Sequence, residues 1–175
     1  MAETYEWCKN LPLVDYREKG KHYCVFHAPK GEKGILLKEF NERIFKRIKE
    51  TNENELCDLS GTIFEGDISF SQFNKDNPLC EISFFDAIFS GEASFSQIIF
   101  NKNMNFQEAR FNKRAYFFET TFKGRVDFSW VTFCDNAIFE SARFIKTKAN
   151  FQQAVFNKWA NFFMVIFESE ADFSG

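Results

Sequence analysis

The sequence predicts an all-β fold, a four-sided β-helix (solenoid) over residues 56–175, preceded by a small head and one capping α-helix over residues 1–55. The first observation is a beat of phenylalanines at 84, 89, 95, 100, 106, 111, 117, 122, 128, 133, 139 and 144, in steps that alternate five and six. The second is its resumption at 151, 156, 162, 167 and 173, after one extra residue near Thr147 and Lys148. The third is the eleven-residue unit itself, A-x-F-x-x-A-x-F-x-x-x, as in Met104-Asn-Phe-Gln-Glu-Ala109-Arg-Phe-Asn-Lys-Arg114. An eleven-residue period also suits a right-handed coiled coil. At about 100° per residue, however, the two phenylalanines of a unit would stand about 140° apart on a helix, and no single apolar stripe results. In a strand, residues two apart share a face. Met104 and Phe106 then point inward with Asn105 and Gln107 outward, and Ala109 and Phe111 repeat the pattern. Each step is one short strand and one corner, and two units make a coil of about 22 residues, stacked on the next at about 4.8 Å.

Residues 1–33 differ in composition, being rich in Lys, Pro, Tyr and charge. Cys24-Val-Phe-His27 has the two-residue gap with which one tight turn presents sulfur and imidazole to a single ion, and Cys8 lies far enough upstream to close a small zinc-type loop. Cys8, Cys24 and His27 are therefore candidate Zn²⁺ ligands, with His22, Asp15, Cys57 or water as the fourth. The same residues also fit a packing role, with Cys24 and Phe26 under a loop and His27 bonded to a backbone group. Five cysteines at 8, 24, 57, 80 and 134, odd in number and irregularly spaced, do not form a disulfide framework, so reduced thiols are expected.

Gly34 to Thr51 reads as an amphipathic helix, because Leu37, Phe40, Ile44 and Ile48 share one face and Lys38, Glu39, Glu42, Arg43 and Lys46 fill the other. The first coil of a solenoid exposes strand edges and its interior stack, so Leu37, Phe40 and Ile44 are expected to cover Leu59 and Phe64. A partner-binding helix is the alternative. The repeat begins at Leu56 to Gly61. Fourteen residues then separate Phe70 from Phe84, three more than the repeat allows, and Asp76-Asn77-Pro78 supplies turn chemistry for a bulging corner. Glycine at Ser60-Gly61, Glu65-Gly66, Lys123-Gly124 and Ser174-Gly175 suits corners with positive φ; elsewhere polar pairs such as Asn101-Lys102 and Asn112-Lys113 must serve.

Cys57-Asp-Leu-Ser-Gly61 fits the A(D/N)LxX unit of the pentapeptide-repeat family, and the later units resemble its phenylalanine-centred variant over roughly residues 56 to 175. The resemblance implies a right-handed quadrilateral β-helix with the central Phe or Leu inside and the small residue two before it packed alongside. The sixth residue of alternate steps departs from the family pattern and should widen alternate corners. A left-handed hexapeptide helix would want six at every step. Some members of the family also resemble this chain in a short Cys/His-bearing head ending in C-x-F-H-x-P, here Cys24 to Pro29.

Net charge is only −3, so no strong field points to nucleic acid or membrane. No apolar run reaches eighteen residues, and the first residues lack the basic start and apolar core of a signal peptide, which makes a cytoplasmic protein the expectation. His22 and His27, the only histidines, both lie in the head, and no phosphate-binding glycine motif is present; neither an enzyme nor a small-molecule substrate is expected. Three non-enzymatic readings remain: an interaction scaffold, a metal-dependent head that recruits a partner, and the mimicry of duplex DNA by which some pentapeptide-repeat proteins bind topoisomerases. From Leu59 to Gly175 there are 14 Asp/Glu against 11 Lys/Arg, interspersed, which argues against mimicry. The chain stops in mid-repeat at Ala171-Asp-Phe-Ser-Gly175 with no capping helix, as in a truncated chain or one whose end another molecule covers. On the face of Phe117, Phe139 and Phe162 the outward positions include Tyr116, Phe118, Ile138 and Phe163, where the Phe106 face carries Asn105, Gln107, Asp127, Ser129, Asn150 and Gln152. Aromatic-rich exposed patches mark interfaces, so these four are the candidate surface for a protein partner or for self-association.

Overall fold

The structure, a computed structural model, describes residues 6–18, 20–73 and 80–175. Most solenoid strands are two residues long, far too short to persist alone, and each survives by pairing in parallel with its counterpart in the coils above and below. Four parallel sheets result: side one runs from Leu56–Asp58 to Ala171–Asp172, side two from Ile63–Phe64 to Val155–Phe156, side three from Ile68–Ser69 to Ala160–Asn161, and side four from Ile99–Phe100 to Ile166–Phe167. The register follows the phenylalanine beat. Met104 pairs with Val126, 22 residues on; Val126 pairs with Ala149, 23 on, across the extra residue; and Ile63 pairs with Ile88, 25 on, across the three-residue insertion. Asp76, Asn77 and Pro78 themselves lie outside the described residues.

Inside, the rings form four ladders. Phe106, Phe128, Phe151 and Phe173 stack at 4.7–4.9 Å between centroids with planes within 12°, and Phe95, Phe117, Phe139 and Phe162 stand opposite at 4.7–5.0 Å. Phe89, Phe111 and Phe133 line side two, and Phe100, Phe122 and Phe144 line side four. Between the first two ladders the rings meet edge to face, at 89° for Phe106 with Phe117 and for Phe128 with Phe139. Ring edges of one ladder thus face the π-clouds of the other, the favoured arrangement for aromatic quadrupoles.

The two kinds of corner differ as the five-and-six alternation requires, but not in the residues expected. From Phe84 onward each five-residue step turns on a left-handed residue that is not glycine: Asp86, Gln97, Glu108, Glu119, Trp130, Ser141, Gln153 and Met164 have φ between 53° and 61°. Each such residue costs about 1–2 kcal/mol in isolation. The coil ladders hold it in place, as where the Glu108 N–H donates to the Ser129 carbonyl and the Trp130 N–H to that of Gln152. On side one the outward Asx residue also braces the turn: Asn105, Asp127, Asn150 and Asp172 each accept the N–H two residues on.

Glycine is left-handed at Gly61 and Gly175 but not at Gly66 or Gly124, correcting the expectation of positive φ there. At Gly124 the reason is close approach, since a Cβ would press on the Lys102 carbonyl and lie 2.6 Å from the Asn103 nitrogen. Backbone cannot yield as a flexible side chain does, so Gly124→Ala should cost about 1–3 kcal/mol in urea melts; a melt superimposable on wild type would refute this close packing.

Ahead of the solenoid, β1 (Leu13–Glu18) and β2 (Lys21–Cys24) form an antiparallel hairpin. Helix α1 spans Leu37–Glu50, starting three residues later than the expected Gly34 because Gly34 is left-handed (φ 69°) and Leu36 is extended. Phe40, Ile44 and Ile48 are buried, with Phe40 meeting Phe64 edge to face at 6.0 Å. Leu37 is not part of that cover; it is 42 % exposed, its methyls lying against Gly66. The head completes the cap, because the Phe26 carbonyl accepts the Ile63 N–H at 2.8 Å and so continues side two by one hydrogen bond. Among the described residues no helix is long and apolar enough to cross a membrane.

Candidate metal centre and outer surface

The segment Cys24–Ala28 closes on itself as a tight turn, the N–H groups of His27 and Ala28 both donating to the Cys24 carbonyl at 3.1 and 3.0 Å. This turn brings Cys24 Sγ to 3.1 Å from His27 Nδ1. A single turn of 3-10 helix, Glu6–Cys8, brings Cys8 Sγ to 3.3 Å from the same nitrogen. The three ligand atoms lie within 4.8 Å of one another. A tetrahedral zinc with Zn–S near 2.3 Å separates its ligands by about 3.5–3.8 Å, so small side-chain movements suffice to admit an ion.

The far side of the imidazole completes a familiar second layer of support. With Nε2 as the donor, 3.0 Å from the Ser60 carbonyl, Nδ1 presents its lone pair to the two sulfurs. Trp7 Nε1 donates to the same carbonyl at 3.2 Å, the Trp7 ring meets His27 edge-on, and the Arg47 guanidinium of α1 lies 4.6 Å over that ring. Burial pushes the Cys8 thiol up, to about 12, helped by the charge of Cys24. Burial also acts to raise Cys24, but when the ring is protonated the hydrogen bond and charge of His27, with the local backbone N–H groups, outweigh it and hold that thiol at about 7. Two cysteine sulfurs and one imidazole are a soft donor set suited to Zn²⁺.

Of the other ligands considered, His22 and Asp15 are exposed on the hairpin, and Cys57 is buried beside Cys80, whose Sγ lies 3.8 Å from the Ile48 carbonyl. Among the described residues only Cys8, Cys24 and His27 come together as such a group. Both features of the packing reading are present as well: Cys24 and Phe26 are buried, and His27 bonds the backbone of Ser60. Sequence reasoning missed Lys33, which is 3 % exposed and donates to the carbonyls of Val25, Phe26 and Ala28 at 2.7, 3.2 and 2.9 Å. It ties down the turn that presents Cys24 and His27.

The outer-face residues separate into two groups. Tyr116 and Ile138 are register partners in adjacent coils of side three, both half-buried. Phe118 is half-buried and Phe163 is 64 % exposed, and in their row Glu140 stands between them. Tyr116 Oη also reaches Glu92 at 3.4 Å, within a network that includes Arg114. In the next coil Asn161 accepts the Phe163 N–H, bracing the turn as on side one. Tyr116 and Ile138 occupy the equivalent position without a side chain that can accept in this way.

Comparison with protein-family models, with curated proteins and with solved structures finds no match for this chain. Its own geometry defines a class, a β-solenoid repeat protein with coils of about 22 residues around a phenylalanine core and a Cys₂His group in its cap.

Proposed function

We propose that this chain is a non-enzymatic protein-interaction scaffold of the pentapeptide-repeat type, working through the outer faces of the rod. The observation that supports this reading is on side three, where Tyr116 and Ile138 replace turn-bracing Asx residues and place apolar surface beside Phe118 and, one coil past Glu140, Phe163. Giving up local hydrogen bonds for outward apolar groups suits an interface better than a solvated face. The head, on the same reading, holds one Zn²⁺ on Cys8, Cys24 and His27, which would make both thiols thiolates and serve a structural role.

The surface is tested with Phe118→Glu combined with Phe163→Lys. Wild type is expected to sediment as an assembly, with itself or with a protein of its host, and the double variant to lose that assembly while its thermal melt stays within about 2 °C, as for surface changes. Equal mass and equal partner affinity for the two proteins would reduce these residues to ordinary surface.

A further inference from the structure

Resting on the zinc reading, we infer that the metal acts as a latch, its occupancy setting how firmly the head is held on the first coil of the solenoid. His27 is the pivot. Its Nδ1 faces Cys8 and Cys24, while Nε2 lies 3.0 Å from the carbonyl of Ser60, a residue of the first coil. A metal on Nδ1 leaves the ring proton on Nε2, the tautomer that donates to Ser60. Binding an ion and gripping the coil are therefore done by opposite edges of one ring.

Two further segments are drawn in by the same ion. Cys8 carries Trp7 with it, and the Trp7 indole N–H donates to the Ser60 carbonyl while its ring lies under Arg47 of α1. Cys24 anchors the turn whose Phe26 carbonyl takes the Ile63 N–H, and whose Phe26 ring packs 5.8 Å from Phe40. The sulfurs come from points sixteen residues apart in sequence, and both already meet one imidazole nitrogen; a shared ion would replace those two hydrogen bonds by stronger bonds to the metal. Without it, these contacts rest on a few hydrogen bonds and rings, which open easily at the margin of a fold. Release of the head bares the Ile63 N–H and the face of Phe40 that Phe26 covers, an exposed strand edge that other chains can pair with.

The experiment uses the full chain with Zn²⁺ as the only added ligand. Elemental analysis of the protein freed of excess metal is expected to give one zinc per chain, lost in Cys24→Ala. Native-state hydrogen exchange is then followed with Zn²⁺ and with a chelator. At free zinc about 100 times the Kd, opening of the cap should be suppressed about 100-fold, because an ion that binds only the closed form lowers the open population by that factor. The Ile63 amide should show this change, while the Phe117 and Phe128 amides in the middle of the rod exchange alike in both conditions. Absence of stoichiometric zinc would overturn the metal reading itself. Stoichiometric zinc with Ile63 exchange unchanged would leave the metal in place and refute the latch.

Discussion

Replacing Phe128 by alanine should lower the free energy of unfolding by about 3–5 kcal/mol, one of the two largest effects expected from a single substitution in this chain. Phe128 is fully buried and stacks at 4.9 Å on both Phe106 and Phe151, while the edges of Phe117 and Phe139 close on it at 5.3 and 5.5 Å. Its loss removes a ring from two sets of contacts at once. The cavity cannot collapse easily, because the coils above and below are held at the strand spacing by backbone ladders, Phe106 N–H to the Asp127 carbonyl and Phe128 N–H to that of Asn150. Urea melts measure the effect, and a loss below about 1 kcal/mol would mean that the ladder is not the core that carries stability.

That ladder was legible in the sequence because a solenoid repeats one physical solution. Each inward position faces the same neighbours, so the same residue type recurs, and insertions declare themselves as interruptions of the beat at Thr147-Lys148 and between Phe70 and Phe84. Corner conformation was not legible. Asp86, Glu108 and Trp130 share a left-handed backbone but no chemistry, since the ladders on both sides impose the turn and leave the side chain free. Glycine misled for a related reason: at Gly124 it answers to the backbone of the neighbouring coil, a contact 22 residues away in sequence, and not to its own φ.

The cap was legible in part. The spacing of Phe40, Ile44 and Ile48 gave the buried face of α1, and the C-x-x-H gap gave a turn that does converge with Cys8. Neither the use of the Phe26 carbonyl to end side two nor the burial of Lys33 has a local signature. A lysine in a charged loop reads as solvated, and only the folded chain shows three carbonyls converging on it.

Lys33→Met should therefore destabilise the cap by about 2–4 kcal/mol near pH 10 and by less at pH 7, where the wild type buries an ammonium, although it substitutes an apolar side chain into a buried site. Lys33 Nζ satisfies the Val25, Phe26 and Ala28 carbonyls and lies 4.6 Å over the Phe40 ring. In the variant the Phe26 carbonyl keeps the Ile63 N–H, but those of Val25 and Ala28 lose the Lys33 bond, and each unsatisfied buried acceptor costs about 1–3 kcal/mol. Relief from burying an ammonium offsets part of that. Burial lowers the Lys33 pKa from 10.5 to about 8, against the pull of Glu65 and Cys24. Between those values the unfolded chain binds more protons than the folded one, so the contribution of Lys33 to stability rises with pH across the window. A neutral amine still has two N–H donors, enough for Val25 and Ala28. Wild type should accordingly gain stability on Lys33→Met as pH climbs from about 8 to about 10, read from urea melts of both proteins and from exchange of the Ile63 amide. Identical melts near pH 10 would show that water satisfies these carbonyls and that the lysine does not hold the turn.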